Sequence, residues 1–224
     1  IPIGTLIQLN IGPEKDEFYQ RIYSGILFAK RIYYPRIGYL NFQSEFGGHY
    51  YRKKLEQGVL NIRAQAISNL HYFNSLKLRN FIGVNYTRGI NRFSDEQIFI
   101  NTTDVWGFNS DYIYGTQRLS LNAEIVAFSD LYLYNFRFLF FGFGDLGLIG
   151  PENESLFNQT IYSGLGIGFR VRNENLVFKT FQIKIAFYPV TPSDQNQLSF
   201  LLSGESYAQP IDFEPSAPEI IDFK

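Results

Sequence analysis

Hydrophobicity alternates with a period of two along most of this chain, and that period fits strands only. From Thr116 to Phe128, Leu119, Leu121, Ala123, Ile125 and Ala127 fall on one face, and Arg118, Ser120, Asn122 and Glu124 on the other. Leu60, Ile62, Ala64 and Ala66 oppose Asn61, Arg63 and Gln65 in the same way, and Phe181, Ile183, Ile185 and Phe187 oppose Thr180, Gln182 and Lys184. Ten segments read as strands: Ile3–Ile11, Arg21–Tyr33, Ile37–Phe46, Val59–Leu70, Leu76–Tyr86, Thr116–Phe128, Tyr134–Leu148, Ile161–Val171, Val177–Tyr188 and Leu198–Ser203. Most exceed the roughly 5–6 residues of a typical soluble strand and suit the about 9–11 residues that a tilted membrane strand needs.

A helical membrane protein is excluded, because a spanning helix takes about 18 or more apolar residues in a row. The longest stretch without a formal charge, Ser155 to Phe169, contains Asn158, Gln159, Thr160 and Ser163. Yet aromatic residues make up 18% of the chain and charged residues only 18%, against roughly 25% charged in an ordinary soluble domain. A transmembrane β-barrel reconciles the two facts, since apolar outward-facing residues alternate with polar inward-facing ones. The mean hydropathy of -0.13 agrees. The apolar load excludes disorder, and a net charge of -1 argues against a nucleic-acid partner. No cysteine is present, which excludes disulfide scaffolding, thiol chemistry and Cys-ligated metals. The chain begins at Ile1 without Met and is expected to be a processed or truncated product.

The connections alternate in length. Short ones lie at Tyr34–Arg36, His71–Ser75, Ser129–Leu133 and Arg172–Leu176; long ones at Gly12–Gln20, Gly47–Gly58, Thr87–Gly115, Ile149–Thr160 and Pro189–Gln197. Outer-membrane barrels have this asymmetry, with short periplasmic turns and longer external loops. Aromatic residues gather near strand ends, as at Tyr33–Tyr34, Tyr72–Phe73 and Phe187–Tyr188, where interfacial girdles would place them. Residues 1–206 thus read as barrel strands with a long loop at 87–115. Residues 207–224, with Pro210, Pro215 and Pro218, read as an extended periplasmic tail.

Little in the sequence points to chemistry. Gly164, Gly166 and Gly168 form a G-x-G-x-G run, but inside an alternating strand, where it reads as a glycine face that lets something approach the wall. His49 and His71 have no acidic partner at a motif spacing and read as solvated residues, so no metal or cofactor is expected. Asp95–Glu96 and Glu152–Glu154 read as solvated loop charge, and Arg52–Lys53–Lys54 is too short a basic run for a nucleic-acid claim. No enzyme activity is expected.

The loop Thr87–Gly115 stands out, since loops beyond about 12–15 residues are uncommon and often functional. It carries the sole tryptophan, in Val105-Trp106-Gly107-Phe108. Leu121-x-x-Glu124 follows on the next strand, then Phe143-x-Asp145-x-Gly147, then Ser163-Gly164-Leu165-Gly166-Ile167-Gly168-Phe169-Arg170. In this order the pieces resemble the C-terminal barrel of the BamA/TamA/two-partner-secretion transporter superfamily, best over Val105 to Phe187. The resemblance implies that the loop folds inward with Trp106, Gly107 and Phe108 at its tip, against the glycine face of Gly164, Gly166 and Gly168. The family has an arginine at the tip, and here Trp106 replaces it. Glu124 and Asp145 then need other partners, and strand parity offers Arg118, Arg137 and Arg170. Arg88-Gly89-Ile90 also resembles a tip, but it sits directly after a strand.

The resemblance further implies an all-β, antiparallel transmembrane barrel. The ten strands of this chain then form the C-terminal portion of a sixteen-stranded barrel, the alternative being a closed ten-stranded barrel. The expected location is the outer membrane of a Gram-negative bacterium. The expected activity is insertion or translocation of outer-membrane or secreted proteins by β-strand pairing at a weak seam. Two alternatives stay open: an inactive family barrel serving as anchor or scaffold for another domain or partner, and a small pore. Expected partners are outer-membrane lipid and lipopolysaccharide, client outer-membrane proteins, and periplasmic or lipoprotein partners.

Overall fold

A computed structural model describes residues 3–15, 20–74, 76–108, 110–133, 136–173, 181–191, 196–203, 217 and 219–223. They form one large antiparallel sheet. Its strands are β1 (Gly4–Lys15), β2 (Gln20–Tyr34), β3 (Gly38–Tyr51), β4 (Lys54–Ser68), β5 (His71–Phe73), β6 (Leu76–Ile90), β9 (Gln117–Leu133), β10 (Phe136–Gly150), β11 (Tyr162–Asn173), β12 (Phe181–Phe187) and β13 (Leu198–Ser203). Two short strands between β6 and β9, β7 (Ile98–Phe99) and β8 (Tyr114–Gly115), pair only with each other. The large sheet is a meander in the order β1-β2-β3-β4-β6-β9-β10-β11-β12-β13, with β5 attached beside β6. Each long strand turns back on its predecessor, so short connections suffice.

The two faces of the sheet are inverted relative to a soluble protein. Apolar residues point out to the exposed face: Leu9 and Ile11 are 69% and 78% exposed, Ile167 68% and Phe200 66%. Polar residues are buried on the other face: Asn41 and Gln43 on β3, Ser120, Asn122 and Glu124 on β9, and Gln182 and Lys184 on β12. Buried charge and exposed large aliphatics together are the uncommon combination. Two pieces of chain cover the polar face. One is the β6–β9 loop, whose Ile98, Ile100, Val105, Trp106, Phe108 and Ile113 form a hydrophobic cluster with Ile149, Ala186 and Tyr188 of the wall. The other is the segment 219–223, which reaches β1, β2 and β4 through hydrogen bonds.

All ten expected strands are present, and the differences are local. The stretch Gly47–Gly58, read as a long loop, is a continuation of β3 and β4 to a tight turn at Arg52 and Lys53. Both turn residues adopt positive φ, 47° and 68°, as the two central positions of a type I′ hairpin turn require. The ladder there absorbs an irregularity between Gly47 and His49. His49, expected in solvent, is therefore a strand residue and buried, with Nε2 2.8 Å from Glu14 Oε2. Arg88-Gly89-Ile90 lies within β6, so the loop proper begins at Asn91. Pairing stops at β1 and β13, so among the described residues the sheet is open and no closed barrel is detected. The expected strand start at Val177 and most of the expected tail from Tyr207 lie outside the described residues.

Candidate functional site

The β6–β9 loop is shaped by its own polar residues before it meets the wall. Asn101 Oδ1 accepts the N–H of Thr103 at 2.8 Å, and Asp104 Oδ2 accepts the N–H of Asn101 at 3.1 Å, side-chain contacts that stand in for a backbone turn. Ile100 N–H donates to Ile113 O at 3.2 Å and prolongs the β7–β8 pairing inward. The tip reverses at Gly107, whose φ of 73° is left-handed and whose missing Cβ leaves room for the Tyr188 hydroxyl.

The wall grips this tip mainly by its backbone. Asp145 on β10 and Asn122 on β9 are cross-strand partners. Asp145 Oδ2 accepts the N–H of Trp106 at 3.0 Å, and Asn122 Nδ2 reaches both Asp145 Oδ1 at 2.9 Å and Asp104 O at 2.7 Å. Tyr188 donates its hydroxyl to Trp106 O at 2.6 Å. Arg118 lies 3.0 Å from Asp104 Oδ2 and donates to Phe99 O at 2.6 Å. Burial pushes the Asp104 carboxyl above the usual carboxylate range, and the Arg118 guanidinium draws it part of the way back.

A second polar pair is also buried. Arg170 on β11 makes a bidentate contact with Glu124 on β9, at 2.8 and 2.6 Å, and its Nε donates to Gln182 Oε1 at 3.0 Å. The guanidinium also stacks 4.1 Å from the Phe141 ring centre. The two forks match in geometry, which is how arginine binds a carboxylate most strongly.

Of the expected network, Glu124, Asp145, Arg118 and Arg170 gather on one face, but in a different pairing from the one expected. Arg118 goes to Asp104 and Arg170 to Glu124, while a backbone N–H and an amide serve Asp145. Arg137 is exposed and stays outside the cluster. It shares the face of Asp145 along the regular β10–β11 ladder but lies eight residues away, at the opposite end of β10.

The cation that the sequence reading left out is Lys184. Its Nζ sits 3.9 Å from the Trp106 ring centre and 5.6 Å from those of Phe141 and Phe143. It also interacts electrostatically with Glu124 and Asp145. Strand parity was the available signal, since Lys184 follows Gln182 on the polar face of β12. A lysine on the wall thus faces the aromatic ring that stands at the loop tip.

The glycine face receives other side chains than the tip tryptophan. A Cβ on Gly166 would strike the Phe143 ring and one on Gly168 the Phe141 ring, while Gly164 abuts Tyr188 and Val105. Phe143 then presents its ring to Trp106, edge-on at 5.3 Å. Phe108 packs against Tyr162 and Tyr188 at 5.5 and 6.0 Å. The glycines let β10 aromatics lie flat on β11, and the tip rests on those aromatics.

The chain matches no protein-family model and no curated protein. The site therefore has to be read from its chemistry. Its carboxylates are held by arginines, amides and backbone N–H groups, and its aromatics by each other. This arrangement fixes a loop against a wall.

Proposed function

We propose that this chain is part of a bacterial outer-membrane β-barrel of the BamA-like kind, the C-terminal portion of a sixteen-stranded barrel, which inserts or translocates outer-membrane or secreted proteins. The observation that carries this reading is the inverted sheet: exposed aliphatic and aromatic side chains on one face, buried Asn, Gln, Arg, Lys and Glu on the other. A bilayer is the solvent in which the first face is favourable. Lipid and lipopolysaccharide are then its surroundings, with Tyr33, Tyr34, Tyr72 and Phe73 exposed at the short-turn rim as interfacial anchors.

The activity follows from the edges. In such a barrel β13 is the last strand, and among the described residues its outer edge has no partner strand; an edge of this kind templates pairing with another chain. β13 has only six residues, Leu198–Ser203, so the seam that it closes with the first strand of the barrel is short and weak. A client strand adds there by backbone hydrogen bonds, without any covalent step. The test is reconstitution in liposomes, followed by addition of an unfolded outer-membrane protein. Faster client insertion than into empty liposomes, slowed by Leu201→Pro in β13, supports the reading. No acceleration by the folded protein contradicts it.

A second reading, an anchor or scaffold barrel, is favoured by the loop itself. Trp106 replaces the tip arginine of the resembling family, its ring is wedged between Phe143 and Lys184, and its carbonyl is held by Tyr188, which suits a fixed plug. The same liposome assay separates the two, since an anchor inserts in the bilayer and accelerates nothing.

A further inference from the structure

Three glycines far apart in sequence fall in one row across the sheet. Asn10 pairs with Gly25, Gly25 with Gly47, Gly47 with Val59, and Val59 with Gly89. The row crosses β1, β2, β3, β4 and β6 on the polar face, and three of its five residues are glycines, so it makes a trough transverse to the strands. Tyr23, buried against His49 with ring centres 5.2 Å apart, rises on one side of it. Asn61, whose Nδ2 is 3.2 Å from Glu45 Oε2, rises on the other.

The segment 219–223 lies in this trough and follows it in strand order. Asn10 Nδ2 donates to Glu219 O at 3.0 Å on β1. The Ile221 N–H donates to the Tyr23 hydroxyl at 2.9 Å on β2. Asn61 Nδ2 donates to Asp222 O at 3.1 Å on β4. All three contacts read main chain. Two side chains are read as well. Ile221 sits over the glycines, with its Cδ1 3.3 Å from where a Cβ on Gly25 would be and 3.0 Å from one on Gly47. The Phe223 ring lies 2.9 Å from the Cβ position of Gly89, and the Arg92 guanidinium stacks on it at 4.2 Å. Arg92 is itself held by Gln57 O at 2.7 Å and Glu96 Oε1 at 3.0 Å. Ile220 and Asp222 point away and are exposed, so the segment alternates as an extended chain does.

We propose that this row is a binding site for an extended peptide carrying a branched aliphatic residue and, two positions on, an aromatic one, and that residues 219–223 are its resident occupant. Backbone contacts hold any such peptide, while the glycine floor and the Arg92 platform select the two side chains. A second peptide of the same pattern competes with the resident one. This inference is independent of the insertion activity and holds for either reading of the barrel.

The absence of cysteine from the chain makes the test clean. In the full chain, Gly47→Cys with Ile221→Cys is oxidised and read as a mobility shift on a non-reducing gel. The expected result is efficient crosslinking, with none for Ile11→Cys with Ile221→Cys, because Ile11 is on the opposite face. An excess of a synthetic peptide with the sequence from Glu219 to Lys224 lowers the crosslink yield several-fold. The same peptide with Ile221 replaced by Asp and Phe223 by Ala leaves the yield unchanged. Failure of the folded Gly47–Ile221 pair to crosslink overturns the occupancy. A yield insensitive to the first peptide, or equally sensitive to both, overturns the site's selectivity and with it the proposal.

Discussion

Asp145 holds Trp106 through the main chain: the Trp106 N–H donates to Asp145 Oδ2 at 3.0 Å, and the indole takes no part in that bond. The role of the tryptophan side chain is therefore separable from the role of the loop backbone. The ring lies edge-on to Phe143 and under the Lys184 ammonium. Trp106→Ala keeps the N–H and loses the ring, at a cost of about 3–5 kcal/mol for a large buried aromatic. Limited proteolysis should cleave the 91–116 loop faster in Trp106→Ala and near the wild-type rate in Trp106→Phe. Equal cleavage of all three would remove the ring from the account.

The Glu124–Arg170 pair is a buried charge contact, with both side chains 6% exposed. Removing one partner leaves an uncompensated buried charge, which costs about 3–5 kcal/mol. Glu124→Gln and Arg170→Gln should each lower resistance of the folded band to heat in detergent. The double variant Glu124→Leu with Arg170→Met should recover most of the loss. Additive losses would mean that the two residues are not coupled.

The glycines divide into those that make room and those that do not. Gly166→Leu and Gly168→Leu collide with the Phe143 and Phe141 rings and with β12 carbonyls, while Gly83→Ala meets nothing within 4 Å. Overpacking of this kind costs about 1–3 kcal/mol or more. Folding yield from urea into detergent should fall for the first two and hold for the third.

Topology carries its own prediction. If the long-loop side is external, Lys53→Cys at the β3–β4 turn should react with an impermeant maleimide on intact cells, and Asn173→Cys at the end of β11 should not. Asp194, on another long connection, lies outside the described residues. Labelling only at Asn173 would reverse the orientation.

The strands were legible because their period of two is the pleat itself. Leu119, Leu121 and Ile125 sort from Ser120, Asn122 and Glu124 in the sequence just as they do in the sheet. The rims were not legible. Gly47, Gly48 and His49 look like loop composition, yet β3 runs on through them, because the hairpin pairs them with β4. Ser129 looks like a turn residue, but it lies within β9, and its hydroxyl donates to Phe138 O at 2.7 Å. The loop tip was found because Trp106 is the single tryptophan in an unusually long connection. The pairing beneath it was not, because which arginine meets which carboxylate depends on register across three strands, and Arg137, though of the right parity, stands at the far end of β10. The trough of Gly25, Gly47 and Gly89 was invisible for the same reason, since only the register brings the three together.

The central claim, that the exposed apolar face sits in lipid, is tested most directly by single cysteines in this cysteine-free chain. Ile125→Cys, Ile167→Cys and Ile185→Cys on the apolar face are compared with Lys53→Cys at the rim, after reconstitution in liposomes. Each is labelled with an environment-sensitive fluorophore and exposed to lipids carrying spin labels on their acyl chains, or to a water-soluble quencher. The account predicts strong quenching by the lipid probe and little by the aqueous one at positions 125, 167 and 185, with the reverse at position 53. Aqueous quenching at 167 equal to that at 53 would contradict it and make the sheet a soluble one.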